Sequence, residues 1–360
     1  MTPLSVAFFG SSLVSAYWNG AATYYRGVLR ALAARGHRIV FYEPDAYDRQ
    51  AHRDIPDPDW ARVVVYSADG EDGVSRALDD ARGADVIVKA SGVGVFDALL
   101  EARVPEIGRP GALAVFWDVD APATLDRLRA DERDPFRALV PRYDLILTYG
   151  GGPPVVAGYE TFGARLCVPI YNGLDPATHH PAPPAPRFAC DLGLVANRLP
   201  DRERRIEEFF LDVAAELPGR HFLLAGNGWG DKPMPANIGY LGHLYTRDHN
   251  AFNASALAVL NVSRDSMANC GYSPATRVFE AAGAAACIIT DAWDGIAEFF
   301  EPGREILVAN NGPAVADILT RLTREEARRI GTAARARALA EHSYAGRVAR
   351  LEAVLEGSYP

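Results

Sequence analysis

The sequence predicts an α/β protein of two doubly wound domains, and three observations predict it. Short apolar runs rich in Val, Ile, Leu and Phe alternate with segments of helical periodicity, these runs form two series, and a proline-rich stretch separates them. The length agrees, since 360 residues make about two domains at roughly 100 to 200 residues each.

The first series comprises residues 6–10, 39–43, 63–66, 86–90, 113–118 and 145–149, bounded by Gly or Asp. Such runs read as parallel strands, because a strand covered on both faces needs no polar alternation. The helix after the first strand is the clearest. Tyr24, Val28, Leu29 and Leu32 recur at helical spacing, and Arg35-Gly36 stops it where glycine admits a left-handed C-cap. The second series comprises 192–196, 222–226, 238–241, 257–262, 287–290 and 306–309. Between the two, residues 175–187 carry prolines that fix φ and withhold backbone donors; they read as a stiff linker or hinge, with the boundary near residue 180. The tail, 324–356, is rich in Ala, Arg, Leu and Glu with a break at His342-Ser343, which predicts two consecutive helices.

Composition narrows the function. With 49% hydrophobic and 23% charged residues the chain is an ordinary globular protein. Its 37 cationic against 46 acidic residues give a net charge of -9, a field that repels polyanions and argues against non-specific nucleic-acid binding. Lys89 and Lys232 are the only lysines, so anion binding falls to arginine, and neither stands in a context that suggests a pyridoxal Schiff base. Cys167, Cys190, Cys270 and Cys287 show no CxxC spacing; all four are expected to be buried, inert thiols of a reducing compartment. No apolar stretch reaches about 18 residues and no basic leader precedes the first strand, so a cytoplasmic location is expected. The histidines form no HExxH or triad ordering, and no metal site is expected.

Several segments offer chemistry at strand ends. Gly10-Ser11-Ser12 and Tyr17-Trp18-Asn19-Gly20 lead from the first strand into the first helix, and read equally as a ligand loop or a tight turn. Gly226-Asn227-Gly228-Trp229-Gly230 reads as a close approach to a ligand or as a flexible exposed loop. Arg198, Arg202 and Arg204 cluster at a helix start, where the dipole favours anions, so either an external diphosphate or salt bridges to Asp201, Glu203, Glu207 and Glu208 explain them. Arg277 and Glu280 share a helix face and either pair or serve separately. Asp118 and Asp120 point the same way if their strand continues, as a base, a hydroxyl acceptor or, for Asp120, a helix cap. His243 follows a strand in a loop, a position that by itself says little. Tyr17, Trp18, Tyr24 and Tyr25 read as a stacking surface or as core.

Residues 17–27, 117–122, 197–202 and 273–283 together resemble the CgeB-type spore maturation glycosyltransferases, relatives of the retaining family 4 enzymes, over nearly the whole chain. The resemblance implies a GT-B fold, two Rossmann-like domains facing across a cleft: an acceptor domain over 1–178, a nucleotide-sugar donor domain over 179–340, and a terminal helix, 341–360, crossing back to the first. Glu280 matches the second glutamate of the E-x7-E signature and is implied to accept the donor ribose hydroxyls; the first glutamate falls at Tyr272, a departure that leaves Ser273, Ala275 and Thr276 to contact sugar and phosphate. Arg198 and Arg202 resemble the diphosphate clamp, with Arg204 in reserve, and Gly20 the glycine bordering diphosphate and acceptor. Base recognition is implied for the loops holding Gly226, Asn227 and Gly228, and His243 and Leu244. Ser11, Tyr17, Trp18, Asn19, Asp118 and Asp120 are the acceptor-side candidates, with Asp118 the base if there is one. The implied reaction is retaining transfer from a nucleotide diphosphate sugar to an unidentified glycan, small molecule or surface-polymer precursor; the arginines take the place of a metal, and no cofactor is expected. A nucleotide-sugar-binding protein without turnover and a GT-B nucleotide-sugar epimerase are the alternatives.

Overall fold

The computed structural model describes residues 2–357. Contacts divide the chain into two units, one running to Tyr171 and resuming at Tyr344, the other Asn172–Ser343. Each has its own parallel sheet and its own core.

The first unit holds seven strands: β1 (Ser5–Phe9), β2 (Arg38–Asp45), β3 (Ala61–Ser67), β4 (Val86–Ala90), β5 (Leu113–Asp118), β6 (Leu145–Thr148) and β7 (Cys167–Pro169). They lie in the order β3-β2-β1-β4-β5-β6-β7, every pair parallel. The connecting helices are α1 (Ala22–Ala34), α2 (Glu71–Ala81), α3 (Asp97–Ile107), α4 (Ala121–Ala130), α5 (Phe136–Leu139) and α6 (Gly152–Thr161). Tyr24, Tyr25, Val28, Leu29 and Leu32 of α1 are buried among strand residues, so Tyr24 and Tyr25 are core rather than a stacking surface. The phenol of Tyr24 donates to the Ile170 carbonyl and accepts from the Trp117 indole.

The final helix, Tyr344–Leu355, belongs to this same unit and packs on α1. Gly27 makes the approach possible, since a Cβ there would stand 2.1 Å from the Tyr344 ring. Glu352 accepts from Arg35 and pairs with His37, and the Arg35 guanidinium chiefly holds its carboxyl below the usual range.

The second unit holds β8 (Cys190–Val195), β9 (Phe222–Ala225), β10 (Ile238–Tyr240), β11 (Ala256–Asn261), β12 (Ile288–Asp291) and β13 (Leu307–Ala309), ordered β10-β9-β8-β11-β12-β13 and all parallel. Its helices are α7 (Pro200–Ile206), continued by a π turn at Glu207–Leu211 into α8 (Asp212–Glu216), then α9 (Thr246–Ser255), α10 (Asp265–Cys270), α11 (Thr276–Gly283), α12 (Gly312–Arg321) and α13 (Arg324–Glu341). Leu192, Leu194, Phe210, Phe222, Leu224, Trp229 and Ile289 anchor the core.

Two expectations change. The proline-rich stretch is no free hinge: Thr178 accepts from Asn250 of α9, Ala185 bonds Ser255, and Phe188 packs on Phe252. Cys270 is half-buried, whereas Cys167, Cys190 and Cys287 are buried, and burial pushes the Cys190 and Cys287 thiols up to about 12. Among the described residues no helix is long and apolar enough to cross a membrane.

Candidate functional site

In the second unit the chain leaves β8 toward β9 and later returns to the opposite side of β8 at β11. Open parallel sheets bind ligands at such a reversal, outside the carboxyl ends of the strands. Most of the candidate donor residues stand in loops at these strand ends.

The loops after β8 and β9 are laced together. Arg198 N donates to the Asn227 carbonyl, Asn227 N to Asn197 Oδ1, and the Trp229 indole to the Ala196 carbonyl at 2.7 Å. Gly226, at φ +124°, lies so close to the β8 loop that a Cβ would stand 2.1 Å from the Ala196 oxygen. The glycine-rich segment is therefore a packed turn, with Asn227 and Trp229 buried, and not a flexible exposed loop. Gly228 also has positive φ.

Arg198 lies between Glu203 at 2.8 Å and Asp231 at 3.0 Å, and Lys232 joins Glu203 and Glu207. The salt-bridge reading thus holds for Arg198, with Asp231 as an added partner. Arg202 donates to the Asn197 carbonyl at 2.6 Å, and Arg204 is exposed. Hydrogen bonds from Arg198 and then Lys232 pull the Glu203 carboxyl down to about 2. A depressed acid stabilises the fold above its unfolded pKa and loses that contribution as pH falls through the folded value. In Glu203→Gln, the melting-temperature deficit against the parent is accordingly expected to be full near pH 6 and to close as both are titrated from about pH 4.5 toward about 2.

Glu280 sits on α11 and is buried. His179 Nε2 lies 4.0 Å from one carboxylate oxygen and His249 Nδ1 3.8 Å from the other, with the two imidazoles stacked at 5.9 Å. The His249 Nε2 lies 3.3 Å from the Leu244 carbonyl. The three ligand-type atoms fall within 4.8 Å of one another, wider than the roughly 3.4 Å implied by tetrahedral zinc with bonds of about 2.1 Å. No sequence spacing pointed to this grouping, whose members come from the 175–187 segment, α9 and α11.

Ser273 is buried and its hydroxyl donates to the Gly271 carbonyl, while the Thr276 hydroxyl donates to Asn172 Oδ1. Ala275 is the N-cap residue of α11. Tyr272, where the signature glutamate would fall, has φ +49° and packs over Gly295, a strained conformation for a non-glycine residue. Leu244 is core beside Phe188 and Phe252, so its side chain is unavailable to a base; His243 stacks edge-on against Tyr245.

Sequence reasoning overlooked a polar network at the ends of β11 and β12. Asp291, fully buried, accepts from Arg205 at 2.7 Å and from Ser263 through both backbone and hydroxyl. Burial outweighs Arg205 and raises its carboxyl. Asn261 donates to Thr290 and accepts from Arg277 at 3.0 Å, the one side-chain hydrogen bond of Arg277 among the described residues.

In the first unit the loop after β1 is built inward. Ser11 donates to Asn19 Oδ1, and the Asn19 amide donates to the carbonyls of Ser12 and Ser15. Glu43, fully buried, accepts from Ser12 and from the Leu13 amide, a support that sequence reasoning missed. Tyr17 stacks on His52 at 4.0 Å, and Trp18 is exposed. Gly20 is exposed, with open space where a Cβ would be. Asp118 ends β5, fully buried, and accepts from Tyr159 and from the Asp120 amide. The strand stops there, so Asp118 and Asp120 do not share a face; Asp120 occupies the N-cap position of α4 without a side-chain cap bond. Both Asp118 oxygens serve the fold, which removes the basis for treating it as an accessible base.

Residues 202–353 match a family described as glycosyl transferase-like. In fold, the chain resembles sucrose-phosphate synthase from Thermosynechococcus elongatus, with a TM-score of 0.69 at 13% identity over 98% of each chain. It also resembles HepE of Anabaena, solved with UDP and glucose, at 0.67 and 14% over 98% of this chain and 100% of that one. AviGT4, a glycosyltransferase of avilamycin A biosynthesis, gives 0.60 at 18% over 99% of each. No curated protein sequence matches the chain. The family match lies mainly on the second unit, and the chain as a whole has the GT-B fold of these solved glycosyltransferases.

Proposed function

We propose that the chain is a glycosyltransferase of the CgeB type and moves a sugar, with retention, from a nucleotide diphosphate donor held by the second unit to an acceptor held by the first. Glu280 carries the reading: a buried carboxylate on α11, flanked by two imidazoles, is an acceptor-only group suited to two ribose hydroxyls. Arg202 and Arg198 clamp the diphosphate, Arg198 by exchanging the highly exposed Asp231 for phosphate oxygen. These cations take the place of a metal at the leaving group, and the acceptor proton passes to the leaving phosphate oxygen, so no protein base is needed. Asp118 then positions the turn that carries Asp120. The reaction belongs to the cytoplasm, where nucleotide sugars are made.

The test is a thermal-shift and hydrolysis screen over UDP, GDP, dTDP and ADP and their common sugars. UDP comes first because HepE was solved with it. One nucleotide is expected to raise the melting temperature selectively, since a ligand of the folded state stabilises it by mass action, and its sugar is expected to be released slowly. Stabilisation without release, even with acceptor pools added, would leave a binding protein. No stabilisation would sink the donor site. Interconversion of the donor sugar without acceptor would instead mark an epimerase, the reading that His179 and His249 beside Glu280 favour.

A further inference from the structure

Arg277 is the second residue of α11 and half-buried. Among the described residues its guanidinium makes one side-chain hydrogen bond, to the neutral amide oxygen of Asn261, and no ion pair. Neighbouring arginines differ. Arg198 lies on Glu203 and Asp231, Arg205 on Asp291, and Arg264 on Asp201 at 2.6 Å. A guanidinium has five N–H donors, and a desolvated cation without a carboxylate is costly unless an anion completes it. Burial accordingly lowers its pKa, with Glu280 and Asp291 opposing through space.

The cation is also aimed. Asn261 is buried at the end of β11, next in register to Thr290 of β12. Its amide nitrogen donates to Thr290 Oγ1 at 3.0 Å, which leaves its oxygen to face Arg277. Thr290 donates in turn to Asp291, itself fixed by Ser263 and Arg205. A chain of buried polar groups thus holds one face of the guanidinium at the carboxyl ends of the strands beside the sheet's reversal, where an anion is expected to bind.

We propose that Arg277, oriented by Asn261, is an anion anchor of this site and binds the diphosphate of the donor. The proposal rests on the nucleotide-sugar reading above. Arg277 adds to Arg198 and Arg202 there: Arg198 must give up Asp231 to reach phosphate, whereas Arg277, among the described residues, has no carboxylate to displace.

The experiment compares binding of inorganic pyrophosphate, of the nucleoside diphosphate selected by the screen, and of its nucleoside, by calorimetry on the full chain. Pyrophosphate needs no knowledge of the base. In Arg277→Gln, pyrophosphate and the diphosphate are expected to bind at least about tenfold more weakly, with nucleoside affinity unchanged, as for loss of one charge-assisted contact of about 1.5–3 kcal/mol. Asn261→Asp keeps the arginine but supplies it with a carboxylate, and is expected to weaken the same two ligands. The unliganded Arg277→Gln protein should melt no lower than the parent, because the lost cation had no carboxylate partner. Unchanged pyrophosphate and diphosphate binding in both variants would overturn the assignment while leaving the donor site standing. An equal loss for nucleoside and diphosphate would also overturn it. A parent protein that binds none of the three would remove both this inference and the donor reading.

Discussion

Glu280→Ala is expected to weaken the donor nucleotide by about 10- to 100-fold, the consequence of losing charge-assisted hydrogen bonds of about 1.5–3 kcal/mol at about 1.4 kcal/mol per decade. The loss should appear equally for a nucleotide and its nucleoside, since the ribose is common to both. That pattern separates Glu280 from Arg277, whose replacement should spare the nucleoside. Glu280→Gln keeps one acceptor oxygen and should fall between the parent and Glu280→Ala. The side chain also faces His179 and His249, so the melting temperature of each unliganded variant must be measured beside its affinity. An alanine variant with parental nucleoside affinity and an intact fold would end the ribose assignment.

Trp229→Ala is expected to produce the largest loss of stability, about 3–5 kcal/mol for removal of a fully buried aromatic from a packed core. Trp229 has no exposed surface, packs in the second unit's core, and donates its indole N–H to the Ala196 carbonyl at 2.7 Å. Its loss leaves a cavity and an orphaned carbonyl at the end of β8, in the turn that carries Asn197 and Arg198. Denaturant unfolding measures the effect. Trp229→Phe should cost less, because it keeps most of the packing and gives up the hydrogen bond. Equal stability of Trp229→Ala and the parent would mean that the turn after β9 does not contribute to the core as described.

Much of the fold was legible because burial writes itself into sequence. Residues 86–90 and 113–118 are apolar runs except for Lys89 and the closing Asp118, and they form β4 and β5 with those bounds. The break at His342-Ser343 separates α13 from the final helix, as the end of the Ala- and Arg-rich periodicity implied. Strand β7 escaped because three residues, Cys167–Pro169, leave no run to detect, and α10 because Asp265–Cys270 is short and polar. Site chemistry was less legible. Glu280 was found through a motif, whereas its imidazole neighbours come from distant segments. Asn261, Thr290 and Asp291 carried a signal of their own, since polar residues closing apolar runs of a parallel sheet mark the ends where ligands bind. Their partnership depends on β11 and β12 being neighbours, which sequence order alone does not state. Asp118 misled for the opposite reason: a carboxylate at a strand end can serve its own turn, as its bonds with Tyr159 and the Asp120 amide do.

The helix Tyr344–Leu355, which lies over α1 through Gly27 and Glu352, has a consequence for biosynthesis. The first unit is discontinuous in sequence: its β1 and α1 are translated before the second unit, and the helix that packs on α1 after it. On the ribosome, α1 therefore emerges with the surface around Tyr24 and Gly27 awaiting a cover encoded beyond the whole of the second unit. The second unit, translated in between from contiguous sequence, can complete its core earlier. The order of synthesis and the order of completion are inverted, so a premature stop just before Tyr344 would spare the later-made unit and compromise the one made first.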